Sequence, residues 1–132
     1  MKDPLIKHVY CGAYHNFIYK SNGELWAVGA NQEGELGLGS KRDQTEPVLL
    51  MTDDKIKQVC CSAYHTLILK EGGELWTFGS NSDGTLGLAD KEEHNRPTLL
   101  MKDPKIRAIC CGEKHSMVLK VDGELWAYGS NR

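Results

Sequence analysis

Gly23-Glu24-Leu25-Trp26 returns as Gly73-Glu74-Leu75-Trp76 and again as Gly123-Glu124-Leu125-Trp126. The offset is 50 residues both times, with no insertion or deletion between copies. Position by position, residues 1–50 and 51–100 share 25 identities, and a third copy runs to Arg132. Matching slots hold Met1, Met51 and Met101; Asp3, Asp53 and Asp103; Ile6, Ile56 and Ile106; Lys20, Lys70 and Lys120; and Asn31, Asn81 and Asn131. Self-similarity at such a period marks tandem units that bury their apolar faces only by stacking on one another. The chain divides accordingly into 1–50, 51–100 and a partial unit 101–132.

Each unit reads as short strands separated by turn residues. The first strand is Ile6–Cys11, with counterparts Ile56–Cys61 and Ile106–Cys111. The second is His15–Lys20, centred on Phe17-Ile18-Tyr19, Leu67-Ile68-Leu69 or Met117-Val118-Leu119. An unbroken apolar triplet between polar ends suits a strand covered on both faces. Ser21-Asn22-Gly23, Glu71-Gly72-Gly73 and Val121-Asp122-Gly123 supply hairpin turns, because these residue types tolerate positive φ. The third strand, Glu24–Gly29, carries the tryptophan. A Gly-rich excursion (31–39), a charged loop (40–46) and a fourth strand, Pro47–Met51, complete the unit. Proline suits an edge strand, where a missing donor does little harm. Four strands per unit of about 40–50 residues describe a β-propeller blade, hence an all-β fold.

Composition agrees with a globular domain: 40% hydrophobic, 26% charged and a net charge of −2. A disordered, collagen-like or membrane-spanning polypeptide is excluded, and no basic excess asks for nucleic acid or an anionic membrane as partner. The cysteines at 11, 60, 61, 110 and 111 are odd in number, and two pairs are adjacent doublets, poorly shaped for an ordinary disulfide. Met1-Lys2-Asp3-Pro4-Leu5 has no apolar core of a signal peptide. Reduced thiols in an intracellular protein, cytoplasmic or nuclear, are the simpler expectation.

Two other propeller repeats share this length. WD-type blades need Asp after Trp, but Ala27, Thr77 and Ala127 follow it here; kelch-type blades need a Gly-Gly doublet, which only Gly72-Gly73 offers. The run from Gly23 through Trp26, Gly29, Asn31, Gly34, Leu36 and Gly37 to Gly39, preceded by Cys11-Gly12-Ala13-Tyr14-His15, resembles instead the regulator-of-chromosome-condensation repeat. Departures are modest: Glu35 and Thr85 stand for the usual Gln, Ser62 and Ala89 for glycines, and the second aromatic slot holds Val28, Phe78 and Tyr128. The resemblance implies a seven-bladed ring. Seven such units would need roughly 350 residues. A partial propeller is therefore expected, completed by oligomerisation or by the rest of a longer array.

The spacing Cys11-x3-His15, repeated at Cys61/His65 and Cys111/His115, suggests metal ligation at first sight. Recurrence once per blade favours structure instead: cysteine as a small hydrophobe and histidine bonded to a turn or neighbouring blade. Trp26, Trp76 and Trp126 read as fillers between blades rather than an aromatic cage. Gly23, Gly73, Gly123, Gly29, Gly79 and Gly129 read as repeat turns; no P-loop Lys-Ser/Thr follows the Gly-rich run. No catalytic set departs from the repeat, so no enzymatic activity and no cofactor are expected. The charged loops do depart from it. Lys41, Arg42 and Asp43, with Glu92, Glu93, His94 and Arg96, are the candidate partner-binding residues, and Tyr14 and Tyr64, replaced by Lys114, form a second divergent spot. A non-enzymatic, self-associating scaffold for protein–protein interaction follows. The alternative, implied by the family's name activity, is guanine-nucleotide exchange on a small Ran-like GTPase, against which the uninterrupted spacing offers no inserted wedge.

Overall fold

A computed structural model describes residues 5–81, 86, 93–112 and 115–129. Eleven strands are found among them, and no helix. They are β1 (Ile6–Cys11), β2 (His15–Lys20), β3 (Glu24–Gly29), β4 (Gln44–Thr52), β5 (Ile56–Cys61), β6 (His65–Lys70), β7 (Glu74–Gly79), β8 (His94–Lys102), β9 (Ile106–Cys111), β10 (His115–Lys120) and β11 (Leu125–Gly129). They form three antiparallel meanders, β1-β2-β3-β4, β5-β6-β7-β8 and β9-β10-β11, which are the successive blades. β5 touches β1 on one side and β9 on the other, whereas β4 and β8 touch no strand of another blade. The first strand of each blade therefore lies toward the common axis and the fourth at the rim.

The first three strands of each unit match the sequence pattern, but the fourth begins earlier than expected. β4 starts at Gln44, not Pro47, because Gly29 pairs with Gln44 after Ala27 has paired with Val48. The two extra residues on β4 form an irregularity that carries Pro47, which sits where no ladder partner requires its missing N–H. β8 repeats this, with Gly79 opposite His94. His94 and Arg96 accordingly belong to a strand and not to a loop.

Two cores fill the seams between blades. At the first, Phe17, Tyr19, Leu25, Ala27 and Leu36 of the first blade meet Ile56, Val59, Ile68 and Phe78 of the second. At the second, Leu67, Leu69 and Leu75 meet Ile106, Ile109 and Val118. Successive strand residues point to opposite faces, so each blade sends one set forward and the other back. This explains the apolar triplets: Leu67-Ile68-Leu69 is buried throughout because the middle blade has a neighbour on each face. In the outer blades, Ile18 and the pair Met117 and Leu119 are only partly covered.

Among the hairpin-turn glycines, Gly23, Gly73 and Gly123, one position is unusually stringent. Gly73 has φ +87°, and a Cβ there would lie 2.0 Å from the carbonyl oxygen of Asp103 in the next blade connection. Gly123 occupies the same slot with φ +89° and open space around it. Gly123→Ala should cost about 1–2 kcal/mol, the left-handed backbone term alone. Gly73→Ala should cost about 1–3 kcal/mol more, since backbone must shift as well. Urea midpoints of the two variants measure the difference, and equal losses would exclude the steric contribution.

Candidate interaction surface

The conserved-looking slots of the repeat turn out to stitch neighbouring blades. His15 is fully buried, and its Nε2 lies 2.9 Å from Oγ1 of Thr66 on the next blade. The Thr66 hydroxyl donates a hydrogen bond to the carbonyl oxygen of Glu35, at 2.8 Å, back on the first blade. His65 repeats the contact, with Nε2 2.9 Å from Ser116 Oγ of the third blade. Its Nδ1 also meets Ser62 Oγ at 2.5 Å, whereas Gly12 stands in the equivalent place and leaves His15 Nδ1 without a partner among the described residues. Burial pushes both imidazoles down to about 4, and for His65 the neighbouring His15 and His115 add to this. Both are therefore neutral structural groups at physiological pH. His115, which has no following blade here, is exposed.

The tryptophans do less of the filling than their periodicity suggests. Each is only partly buried or exposed, Trp126 at 47%. Trp76 does pack at the margin of the first seam, but Phe17, Phe78 and the leucines occupy its centre. Each indole instead lies under a lysine ammonium: Lys20 over Trp26 at 4.9 Å, Lys70 over Trp76 at 5.0 Å and Lys120 over Trp126 at 4.6 Å. Each indole N–H donates to the glutamate two residues earlier, Glu24, Glu74 or Glu124, at 3.0, 3.1 and 3.4 Å. Lys70 and Lys120 also pair with Asp53 and Asp103, at 2.8 and 2.9 Å. The repeated Lys and Glu, noted as mere identities in the sequence, are the signal for this cluster.

The divergent loops are partly committed to the chain itself. Asp43 accepts the N–H of Asn31 at 2.9 Å, closing the Gly-rich excursion. Lys41 pairs with Glu93 of the second blade at 2.5 Å. Gly39 N–H donates to Asn95 O at 2.7 Å, and the Arg96 guanidinium packs where a Gly39 side chain would stand. His94 Nδ1 lies 3.3 Å from Thr98 Oγ1. Arg42 is exposed, and Glu92 lies outside the described residues. The loops thus lap one blade onto the next and leave part of their charge at the surface.

Three surfaces stay open among the described residues. On the axial end, Tyr14 (60% exposed) and Tyr64 (41%) stand with ring centroids 6.0 Å apart, beside a groove of about 500 Å³ that reaches Cys61 and Gly112. Lys114, the third member of this spot, lies outside the described residues. The outer flank of the first blade offers Val9 (57% exposed) and a hollow of about 310 Å³ beside Ile18, Trp26 and Pro47. The outer flank of the third offers an apolar hollow of about 210 Å³ lined by Ala108, Cys110, Met117, Leu119 and Leu125. No group of three His, Cys, Asp or Glu side chains among the described residues is placed to hold a metal ion.

Antiparallel blades in angular succession, joined by a buried histidine at each seam, define a β-propeller segment. The regulator of chromosome condensation (RCC1) repeat model matches residues 22–69 and 72–119, and a second RCC1 repeat model matches 6–35 and 56–85. The chain belongs to the RCC1 repeat family. The first model's repeat runs from the third strand of one blade through the second strand of the next, half a blade out of phase with the sheets. Similar solved structures include yeast RCC1 (Prp20) bound to Kap60, at 23% identity and TM-score 0.85 over 95% of this chain. Prp20p from Saccharomyces cerevisiae matches at the same identity, TM-score and coverage, and human WBSCR16 at 23% identity and TM-score 0.80 over 94%. This chain spans about a third of each of those chains: 32% of the first and 33% of the other two.

Proposed function

We propose that the chain is a non-enzymatic protein–protein interaction scaffold that completes its propeller through its two open flanks. One observation carries this: each flank is half of an interface that the chain already makes twice. On the third blade, Met117, Leu119 and Leu125 repeat Leu67, Leu69 and Leu75, which are buried in the second seam. On the first blade, Ile18 and Trp26 repeat Ile68 and Trp76, which pack in the first seam. Leaving such faces in water is unfavourable by about 25 cal/mol per Å². A second copy, or further blades of the same array, supplies the matching face head to tail. Once closed, the ring presents Tyr14, Tyr64 and Arg42 to a protein partner, tyrosine and arginine being the residue types that anchor such contacts.

Sedimentation of the 14.7 kDa chain should show masses above the monomer, and Leu125→Asp, at a 59% exposed position, should return it to monomer without unfolding it. A monomer at all concentrations with cooperative unfolding would exclude self-completion. The similarity to Prp20p, whose binding to Gsp1p and histones has been characterised, supports protein partners and keeps small-GTPase exchange as the alternative. Faster nucleotide release from a small GTPase on adding this chain would replace the scaffold reading with that one.

A further inference from the structure

Adjacent cysteines on a strand point to opposite faces, so the doublets divide between seams. Cys61 packs against the first seam and Cys60 against the second. In the next doublet, Cys111 faces back into the second seam, while Cys110 lines the hollow on the open flank. Tandem doublets therefore set one forward thiol against one backward thiol at the same seam. At the first seam no such pair exists, because Tyr10 holds the forward position opposite Cys61.

The second seam is drawn tight at this point. Gln58 brackets Ile109 with both ends of its amide, donating to the carbonyl at 2.8 Å and accepting from the N–H at 3.2 Å. Cys60 Sγ lies 3.2 Å from that same Ile109 carbonyl, two residues before Cys111, and receives a Gln58 N–H at 3.7 Å. Cys60 and Cys111 both pack against the second core, from opposite sides of the same seam.

We propose that Cys60 and Cys111 form a reversible inter-blade disulfide when the protein meets a peroxide. The neighbouring Cys111 holds the Cys60 thiol below its ordinary value, while Cys60 and burial hold Cys111 above it. Cys60, whose sulfur also receives the Gln58 N–H at 3.7 Å, is the sulfur that ionises and attacks. Its thiolate displaces hydroxide from hydrogen peroxide and becomes a sulfenic acid. Cys111 then gives up its proton and attacks the Cys60 sulfur, closing the S–S bond and releasing water. In sum two thiols and one peroxide give one disulfide and two waters, the two electrons passing from sulfur to peroxide. Thiol reductants reverse the bond. The cross-link ties the axial strands β5 and β9 and leaves the first seam free.

The test is alkylation of the whole chain after hydrogen peroxide, read by intact mass and fragment spectra. Five adducts before oxidation should fall to three, with the fragments joining Cys60 to Cys111. Cys60→Ser should keep all four remaining adducts, Cys111→Ser should lose only the Cys60 adduct with that sulfur left as a sulfenic acid, and Cys110→Ser should still lose two. Tyr10→Cys should gain a second link, to Cys61. If a serine variant does not fold, the wild-type fragment spectrum decides alone. Five adducts kept after peroxide, links through Cys61 or Cys110 in the wild type, or the same link formed equally in urea would each overturn the proposal.

Discussion

Lowering the pH from 7 to 4 is expected to destabilise the blades by several kcal/mol, with most of the loss above the carboxylate range. The cause is the pair of buried imidazoles. An unfolded histidine binds its proton near 6.5, but His15 and His65 in the fold do so only at about 4. Below 6.5 the unfolded chain therefore holds more protons than the folded one, and stability falls with falling pH. Each histidine contributes about 3 kcal/mol over this interval, since a pKa unit is worth about 1.4 kcal/mol. Asp53 and Asp103, held below the ordinary carboxylate value by Lys70 and Lys120, extend the loss below pH 3.8. Glu35 opposes it, because burial raises its carboxyl and makes its protonation easier in the fold. Urea midpoints at a series of pH values measure the slope. His15→Gln and His65→Gln should each flatten it between 6.5 and 4, and an unchanged slope would show that these imidazoles do not titrate on unfolding.

Phe78→Ala is expected to cost about 3–5 kcal/mol, the range for an aromatic removed from a filled core. Phe78 is wholly buried and meets Phe17 edge to face at 6.1 Å. Its ring also occupies the space that a side chain at Gly37 would need, 2.9 Å from the ideal Cβ position. The substitution therefore loosens both the first seam and the Gly-rich excursion resting on it. A domain is typically stable by only 5–15 kcal/mol, so this change alone removes a large part of the whole. Phe17→Ala should cost a similar amount. Together they should fall short of the sum by about 0.5–1.5 kcal/mol, the worth of the ring pair. Full additivity in urea titrations would mean that the rings do not support each other.

The period and the turn residues made the blades legible in the chain, down to the ends of the first three strands. What stayed hidden depended on a neighbour one period away. Nothing local to His15 reveals Thr66, since the partner enters from the next blade. The early start of β4 was masked by Pro47, which ordinarily begins a strand but here sits within one, at an irregularity. Trp26 looked like core because its recurrence resembles a core position, yet lysine and glutamate on its own blade hold it near the surface. The charged loops were recognised as divergent, but their hold on each other rests on Lys41 meeting Glu93 across a seam. Adjacency makes each cysteine doublet a poor disulfide, and only strand alternation, which sends its two thiols to different seams, shows where a partner stands.

The one-way lap of the Gly-rich excursion has a consequence for the order in which the chain is made. The strands of the first blade are complete once Thr52 has been added. Its excursion closes on its own Asp43 but is not pinned to the second blade until Glu93, Asn95 and Arg96 exist, because those residues hold Gly39 and Lys41. Some forty residues of translation separate the two events, a few seconds at about 5–20 residues per second. Through that interval the nascent chain carries four strands whose loop and inner face still lack the second blade, and Thr66, on which His15 closes, arrives partway through it. Synthesis from the N-terminus thus leaves each blade waiting on its successor, so that the chain matures backward from its growing end.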